Sequence, residues 1–331
     1  MLPITRRHFL GITATGLGGL WLGEPWPARA NTAPSAAAFE ELHKRFQDPE
    51  RKYSIRPFWF WNGKLDGEEL GKQIRQMVEH GVYGAYAHNR DGLETPYLSE
   101  AWWQAVGEAL HAAREAGFSL CMVDEFEWPS GEARDYWLPG TNKSRVVAAN
   151  PDFRMRCLRP HETEAAGNQP LNLSLPAHTA LVVAGRLLGP GRLDGESLRT
   201  LDWDRGTQKL SWTAPEGKWL VSVYGLEETQ SPDGGTVDLM SSEAVRKFID
   251  IYYEEFYQRH KDYFGKTFVA TFADHEGSYG ATIGWTPRLF ETFAQQKGYR
   301  LEAYLPALKY DIGPKTEKLR CDYQDVVSEL Y

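Results

Sequence analysis

The chain has 331 residues with 37 Lys plus Arg against 45 Asp plus Glu, a net charge of −8 and no basic stripe, which argues against a polyanionic partner such as nucleic acid. Its three cysteines, Cys121, Cys157 and Cys321, stand in no close Cys-x-x-Cys spacing, so neither a disulfide framework nor a thiolate zinc site is indicated. Aromatic residues make up 13% of the chain, with 12 Trp, and flat apolar faces with a polar edge suit either a cleft for rings and sugars or a large core.

At the N-terminus, Thr5-Arg6-Arg7-His8-Phe9-Leu10 sets an arginine pair ahead of a weakly apolar run, Leu10 to Leu22, broken by Gly11, Gly16, Gly18 and Gly19. The run falls short of the roughly 20 apolar residues a spanning helix needs. It leads to Ala28-Arg29-Ala30, a small-x-small cleavage site. Residues 1–30 therefore read as a twin-arginine export signal, with the mature chain beginning at Asn31 and working in the periplasm or outside the cell, off the membrane. An uncleaved anchor is the alternative.

Residues 31–150 alternate strand and helix. Arg56 to Trp61, Tyr83 to His88 and Phe118 to Phe126 are strand-like runs. Between them, a helix opens at Asp66 with Glu69 in capping-box position, carries Leu70, Ile74, Met77 and Val78 on one face, and stops at Gly81. A second opens at Ser99, runs through Trp103, Val106 and Leu110, and ends at Gly117. This βαβαβ alternation implies a parallel sheet.

Between Pro151 and Val237 the period falls to near two. Leu171 to Leu175, Ala180 to Leu187, Gln208 to Thr213 and Lys218 to Leu226 read as short strands, with Ala214-Pro215-Glu216-Gly217 as a hairpin connection. Residues 151–237 are thus expected to form an inserted antiparallel β module. Residues 238–331 then resume the α/β pattern: a long helix capped by Ser242 and ended at Gly265, a strand from Phe268 to Ala273, a helix from Pro287 to Lys297, and a polar helix from Lys315. Four βα units fit an open doubly wound sheet or the first half of a (β/α)8 barrel, which needs eight strands. The chain stops at Leu330-Tyr331 inside a helical pattern, which is expected of a truncated protein.

Reactive groups in parallel α/β folds sit at the strand C-terminal ends. Here those ends read Trp59-Phe60-Trp61-Asn62-Gly63, His88-Asn89-Arg90-Asp91, Asp124-Glu125-Phe126-Glu127-Trp128-Pro129-Ser130-Gly131 and Asp274-His275-Glu276-Gly277. Carboxylates beside Trp and Asn are the set a glycosidase needs: an acid for the leaving oxygen, a carboxylate for water or attack, and platforms for the ring. Duller roles compete. Trp59 and Trp61 fit a core, His88 fits a bond to a backbone carbonyl, and Glu127 fits a helix cap or a solvated loop. Gly277-Ser278-Tyr279-Gly280 lacks the lysine of a phosphate loop, and no serine sits in a nucleophile elbow.

Arg56-Pro57-Phe58-Trp59-Phe60-Trp61-Asn62-Gly63, Tyr97-Leu98-Ser99-Glu100-Ala101-Trp102 and Asp124-Glu125 with Trp128-Pro129-Ser130-Gly131 resemble the barrel start of glycoside hydrolase family 106, the α-L-rhamnosidases. So do Asp274-His275-Glu276, Trp285-Thr286-Pro287, Gly298-Tyr299 and Tyr304-Leu305-Pro306-Ala307-Leu308, in order. The likeness covers nearly all of residues 54–331, and the family's members are much longer than this chain. It implies the first half of a (β/α)8 TIM-type barrel with a β insertion, and inverting, calcium-assisted hydrolysis of terminal α-L-rhamnose or a similar deoxysugar. On that resemblance Glu276 is the general acid, with Asp274 as the neighbour that keeps it protonated. Glu125 is a substitute for the general base, since the family's own base belongs to later strands. Asp124 and Glu125 are candidates for sugar or calcium contacts, and Trp59, Trp61, Asn62, His88, Trp128, Asp274 and His275 for the substrate. His275 departs from the family, where a small residue is usual. Two other readings stand beside this one: a catalytically inactive carbohydrate-binding remnant, and a retaining β-glycosidase whose carboxylates are closer, about 5–5.5 Å apart.

Overall fold

Strand β1, Phe58–Trp61, starts a four-stranded parallel sheet of order β1, β2 (Gly84–Asn89), β3 (Ser119–Phe126) and β11 (Phe268–Phe272). The computed structural model of the protein describes residues 36–135, 143–229, 236–274 and 283–331. The expected export signal, residues 1–30, lies outside the described residues. Residues 1–53 form a unit of their own, of which helix α1, Ala36–Gln47, is described; residues 54–331 form the second unit.

Alternation along β1 decides what the sheet shows on each face. Trp59 and Trp61 turn toward the helices: Trp59 Nε1–H donates to Gln73 Oε1 (2.8 Å) on α2 (Gly67–Glu79), and Trp61, 2% exposed, meets Trp102 on α3 (Glu100–Ala116). Phe58 and Phe60 turn the other way, beside Tyr86, His88 and Phe272. Ile74, Val106, Leu110 and Leu120 are fully buried in the helix-side core, each worth about 1.5–3 kcal/mol over exposure.

Both expected helix starts are present. Asp66 accepts the Glu69 N–H (3.0 Å), although the Glu69 side chain turns to Lys72 and Gln73 instead of closing the box. Ser99 accepts the Trp102 N–H, and Gly117 ends α3 at φ 64°. After the short helix α4 (Arg145–Ala149), the later helix is capped by Ser241, one residue before the expected Ser242: its hydroxyl accepts the Ala244 N–H at the start of α5 (Ser242–Ile249). A π-turn, Asp250–Glu254, carries the chain on into α6 (Glu255–His260).

The antiparallel layer has the order β12 (Gly284–Trp285), β4 (Arg156–Ala166), β10 (Lys218–Glu228), β6 (Thr179–Gly189) and β7 (Arg192–Leu193), with β8 (Arg199–Thr200) on β6. Strands β5 (Pro170–Ser174) and β9 (Lys209–Thr213) pair separately. Two expectations are corrected here. Ala214 to Gly217 is no hairpin, because β9 pairs with β5 while β10 pairs with β4 and β6. Residues 238–331 do not simply continue a barrel: after β11 the chain adds β12 to β4. Helices α7 (Leu289–Lys297) and α8 (Thr316–Leu330) pack Leu289, Phe293, Tyr323 and Val326 against Leu158, Val183 and Tyr224 of the antiparallel layer. The described residues thus form a mixed α/β fold with an open four-stranded parallel sheet.

Candidate active site

Because the four strands run parallel, their C-terminal ends share one edge, and the backbone ties that rim together. Trp61 O accepts the Arg90 N–H (3.0 Å), Asn89 O accepts the Glu127 N–H (2.9 Å), and Asp274 O accepts the Ser130 N–H (2.6 Å). Asn62, exposed, closes one end beside Gly92, whose φ of +92° and approach to the Asn62 carbonyl leave no room for a side chain.

His88, 5% exposed, lies on the helix-free face with Phe58, Phe60 and Trp128 around it. Its Nε2 pairs with Glu127 O (3.0 Å), the backbone-carbonyl role that competed with substrate contact. Burial above all, with the Arg90 charge, holds the imidazole below its ordinary pKa, against the Glu127 carbonyl and the Asp274 charge. Arg90 lies over two rings, its guanidinium carbon 4.8 Å from the Phe60 centroid and 4.6 Å from that of Trp128. Trp128 is 42% exposed. It is therefore the one of the three candidate platforms with a ring available. Trp59 and Trp61 face the helices, because a period of two puts them opposite Phe58 and Phe60.

The register between β2 and β3 slips at the rim: Ala87 faces Met122 but Asn89 faces Phe126. This irregularity inserts extra residues at Asp124 and Glu125 and re-aims both side chains, as bulges beside active sites do. Asp124 Oδ1 accepts from the Ser130 hydroxyl and Oδ2 from the Tyr253 hydroxyl on the π-turn. Ser130 Oγ also accepts the Asp274 N–H (2.8 Å), so one serine links the two strand-end aspartates. Burial raises the Asp124 pKa, with the two hydroxyls pulling it down.

Glu125 is fully buried. Its Oε1 accepts from the N–H groups of Phe126 and Arg134, and its Oε2 from those of Glu132 and Ala133. Burial, then the Glu132 carboxylate, push its pKa up to about 8, while the N–H donors work the other way. With four backbone donors on two oxygens, Glu125 shapes the 126–134 loop and has no lone pair for a water. A general-base role does not fit this geometry.

His275 and Glu276, the substrate contact and general acid expected from the sequence, lie outside the described residues, and Asp274 stands next to them. Calcium finds no fit at Glu125, whose oxygens each accept two N–H donors, and at Asp124 each oxygen already accepts a hydroxyl, with no set of acidic ligands gathered around it among the described residues. No group of three or more His, Cys, Asp or Glu able to hold a metal occurs among the described residues. Phe60, Arg90, Ser130 and Tyr253 belong to the rim although sequence reasoning passed over them. Period-two alternation from the buried Trp61 would have exposed Phe60; nothing local marks Tyr253.

Comparison with known proteins bears out the resemblance. Residues 204–331 match the model of glycoside hydrolase family 106, alpha-L-rhamnosidase. A curated protein of Formosa agariphila whose name assigns it as a beta-glucuronidase is 24% identical over 351 residues, covering 88% of this chain and 28% of that protein. The solved structure of a rhamnosidase from Novosphingobium sp. PP1Y superposes with a TM-score of 0.54 at 15% identity, over 87% of this chain and 45% of that one, a likeness of fold. The chain therefore spans less than half the length of either.

Proposed function

From the match of residues 204–331 to the α-L-rhamnosidase family, we propose that this protein is a glycoside hydrolase that removes terminal α-L-rhamnose, or a similar deoxysugar, with inversion. The observation that carries the reading is the rim. Parallel strands deliver Asp124, Asp274, His88, Arg90 and Trp128 to one edge, and the family-matched segment contains both Asp274 and Glu276. Glu276 gives its proton to the leaving oxygen, the charge of Asp274 nearby favouring the protonated acid. Trp128 offers its exposed face to a sugar ring of the glycan chain that carries the rhamnose. The base that activates water stands about 6.5–9.5 Å from the acid, as inversion requires, and is not Glu125. Membership of a (β/α)8 barrel is part of the same reading, as is export by the twin-arginine route through Arg6-Arg7. No step runs through calcium.

The test is release of p-nitrophenol from its α-L-rhamnoside, with proton NMR of the first anomer formed. Turnover that yields β-L-rhamnose first and is abolished in Glu276→Gln supports the proposal. Turnover indifferent to Glu276→Gln, or α-L-rhamnose first, defeats it. A second reading, a carbohydrate-binding protein without turnover, is favoured by the occupied lone pairs of Glu125. It predicts rhamnose binding in titration with no product at all.

A further inference from the structure

Arg90 is the first residue past β2, and its backbone N–H is fixed to Trp61 O. Its half-buried guanidinium rests over Phe60 and Trp128, and among the described residues no carboxylate forms an ion pair with it. Across the rim, Glu127 turns Oε1 to the Asp91 N–H (3.2 Å) and forms no ion pair with Arg90. A guanidinium held by rings keeps its planar edge of N–H donors for a ligand. Stacking on aromatics also fixes the fork before anything binds, which lowers the ordering cost of an ion pair. A planar carboxylate is the partner that such a fork matches with two parallel hydrogen bonds. The exposed face of Trp128 lies beside it, and an apolar ring face beside an anion site is what a charged sugar offers surfaces to.

We propose that Arg90, seated on Phe60 and Trp128, recognises the carboxylate of a uronic acid unit of the glycan, with Trp128 against that sugar's ring. The proposal rests on the reading of the rim as a sugar site and adds the substrate class: an acidic glycan. Lysine does not replace Arg90 here, because an ammonium offers neither the fork nor the flat stacking face.

The experiment is calorimetric titration of the protein with sodium D-galacturonate and sodium D-glucuronate, each against its methyl ester, with galactose 6-sulfate as a further arm. The expected result is at least roughly tenfold tighter binding of a uronate than of its ester, weakening as salt rises and erased in Arg90→Met. Arg90→Lys recovers only part of it. Equal binding of acid and ester, a preference that persists in Arg90→Met, or stronger binding of the sulfate would each overturn the proposal. The comparison of acid with ester in the unaltered protein decides the matter even if Arg90→Met does not fold. Rhamnoside turnover measured alongside separates the two claims. Turnover without acid preference removes this inference and leaves the function; acid preference with no turnover does the reverse.

Discussion

The hydroxyl of Ser130 donates to Oδ1 of Asp124 and at the same time accepts the backbone N–H of Asp274, so the ends of β3 and β11 are held by one side chain. Ser130→Ala is expected to cost about 1–3 kcal/mol in urea unfolding, because it leaves a buried carboxylate oxygen and a backbone N–H without their partner. Tyr253→Phe removes the other hydroxyl from Asp124. Both hydroxyls pull the Asp124 pKa down against burial, so each variant should raise it further. Stability of either variant should then fall more steeply than that of the parent as pH rises above the unfolded aspartate value, since a raised carboxyl pKa favours the fold only while the proton stays on. Parallel pH–stability curves for parent and variants would refute the linkage.

Glu125 makes the same argument at larger scale. Its pKa is raised to about 8 in the fold from an ordinary 4.5. Across that window the folded state holds more proton than the unfolded state, so stability should decline with rising pH by at most about 1.4 kcal/mol per pH unit from this group. Glu125→Gln should flatten that slope. It should also lower stability by about 1–3 kcal/mol below pH 4.5, where the parent is protonated too, because the amide NH2 points two donors at backbone N–H groups where the acid had one. Chemical denaturation from pH 4 to pH 9 checks both; an unchanged slope in the variant sinks the assignment.

The tryptophans divide by face. Trp61 is 2% exposed and packed on Trp59 and Trp102, so Trp61→Ala should lose about 3–5 kcal/mol. Trp128→Ala, at a 42% exposed ring, should change the melting temperature little and weaken sugar binding roughly tenfold, about 1.4 kcal/mol. Thermal melts with titration calorimetry distinguish the two, and a large stability loss in Trp128→Ala would return that ring to the core.

What could be read in advance follows from what is local. Caps at Asp66, Ser99 and Gly117 and the apolar faces of α2 and α3 are set within a turn or two of chain, and they stand where the spacing puts them. Strand β4 was missed because Arg156 to Ala166 carries Arg, Glu and Pro160. Its side away from β10 is paired only at Arg156 and Cys157 among the described residues, so Pro160 breaks no ladder bond and polar residues face outward. At the site, strand ends were legible as a rim, but the fate of each carboxylate was not. Whether Glu125 meets water or four N–H groups depends on how residues 126–134 fold back over it, and no spacing within β3 encodes that return.

The partners chosen by the C-terminal helices are likewise non-local, and they can be tested. Phe293 on α7 and Tyr323 on α8 are buried against β4, β6 and β10, and Tyr323 OH donates to Gly284 O (3.1 Å) on β12. Phe293→Ala should therefore cost about 3–5 kcal/mol. In native-state hydrogen exchange, the amides of β4, β6 and β10 should lose protection together with those of α7 and α8, as one cooperative unit. The amides of β1, β2 and β3, whose core is built on α2 and α3, should be affected much less. If Phe293→Ala instead accelerates exchange in β2 and β3 and leaves β4 and β10 protected, then α7 is supported by the parallel sheet and the packing described for the antiparallel layer is wrong.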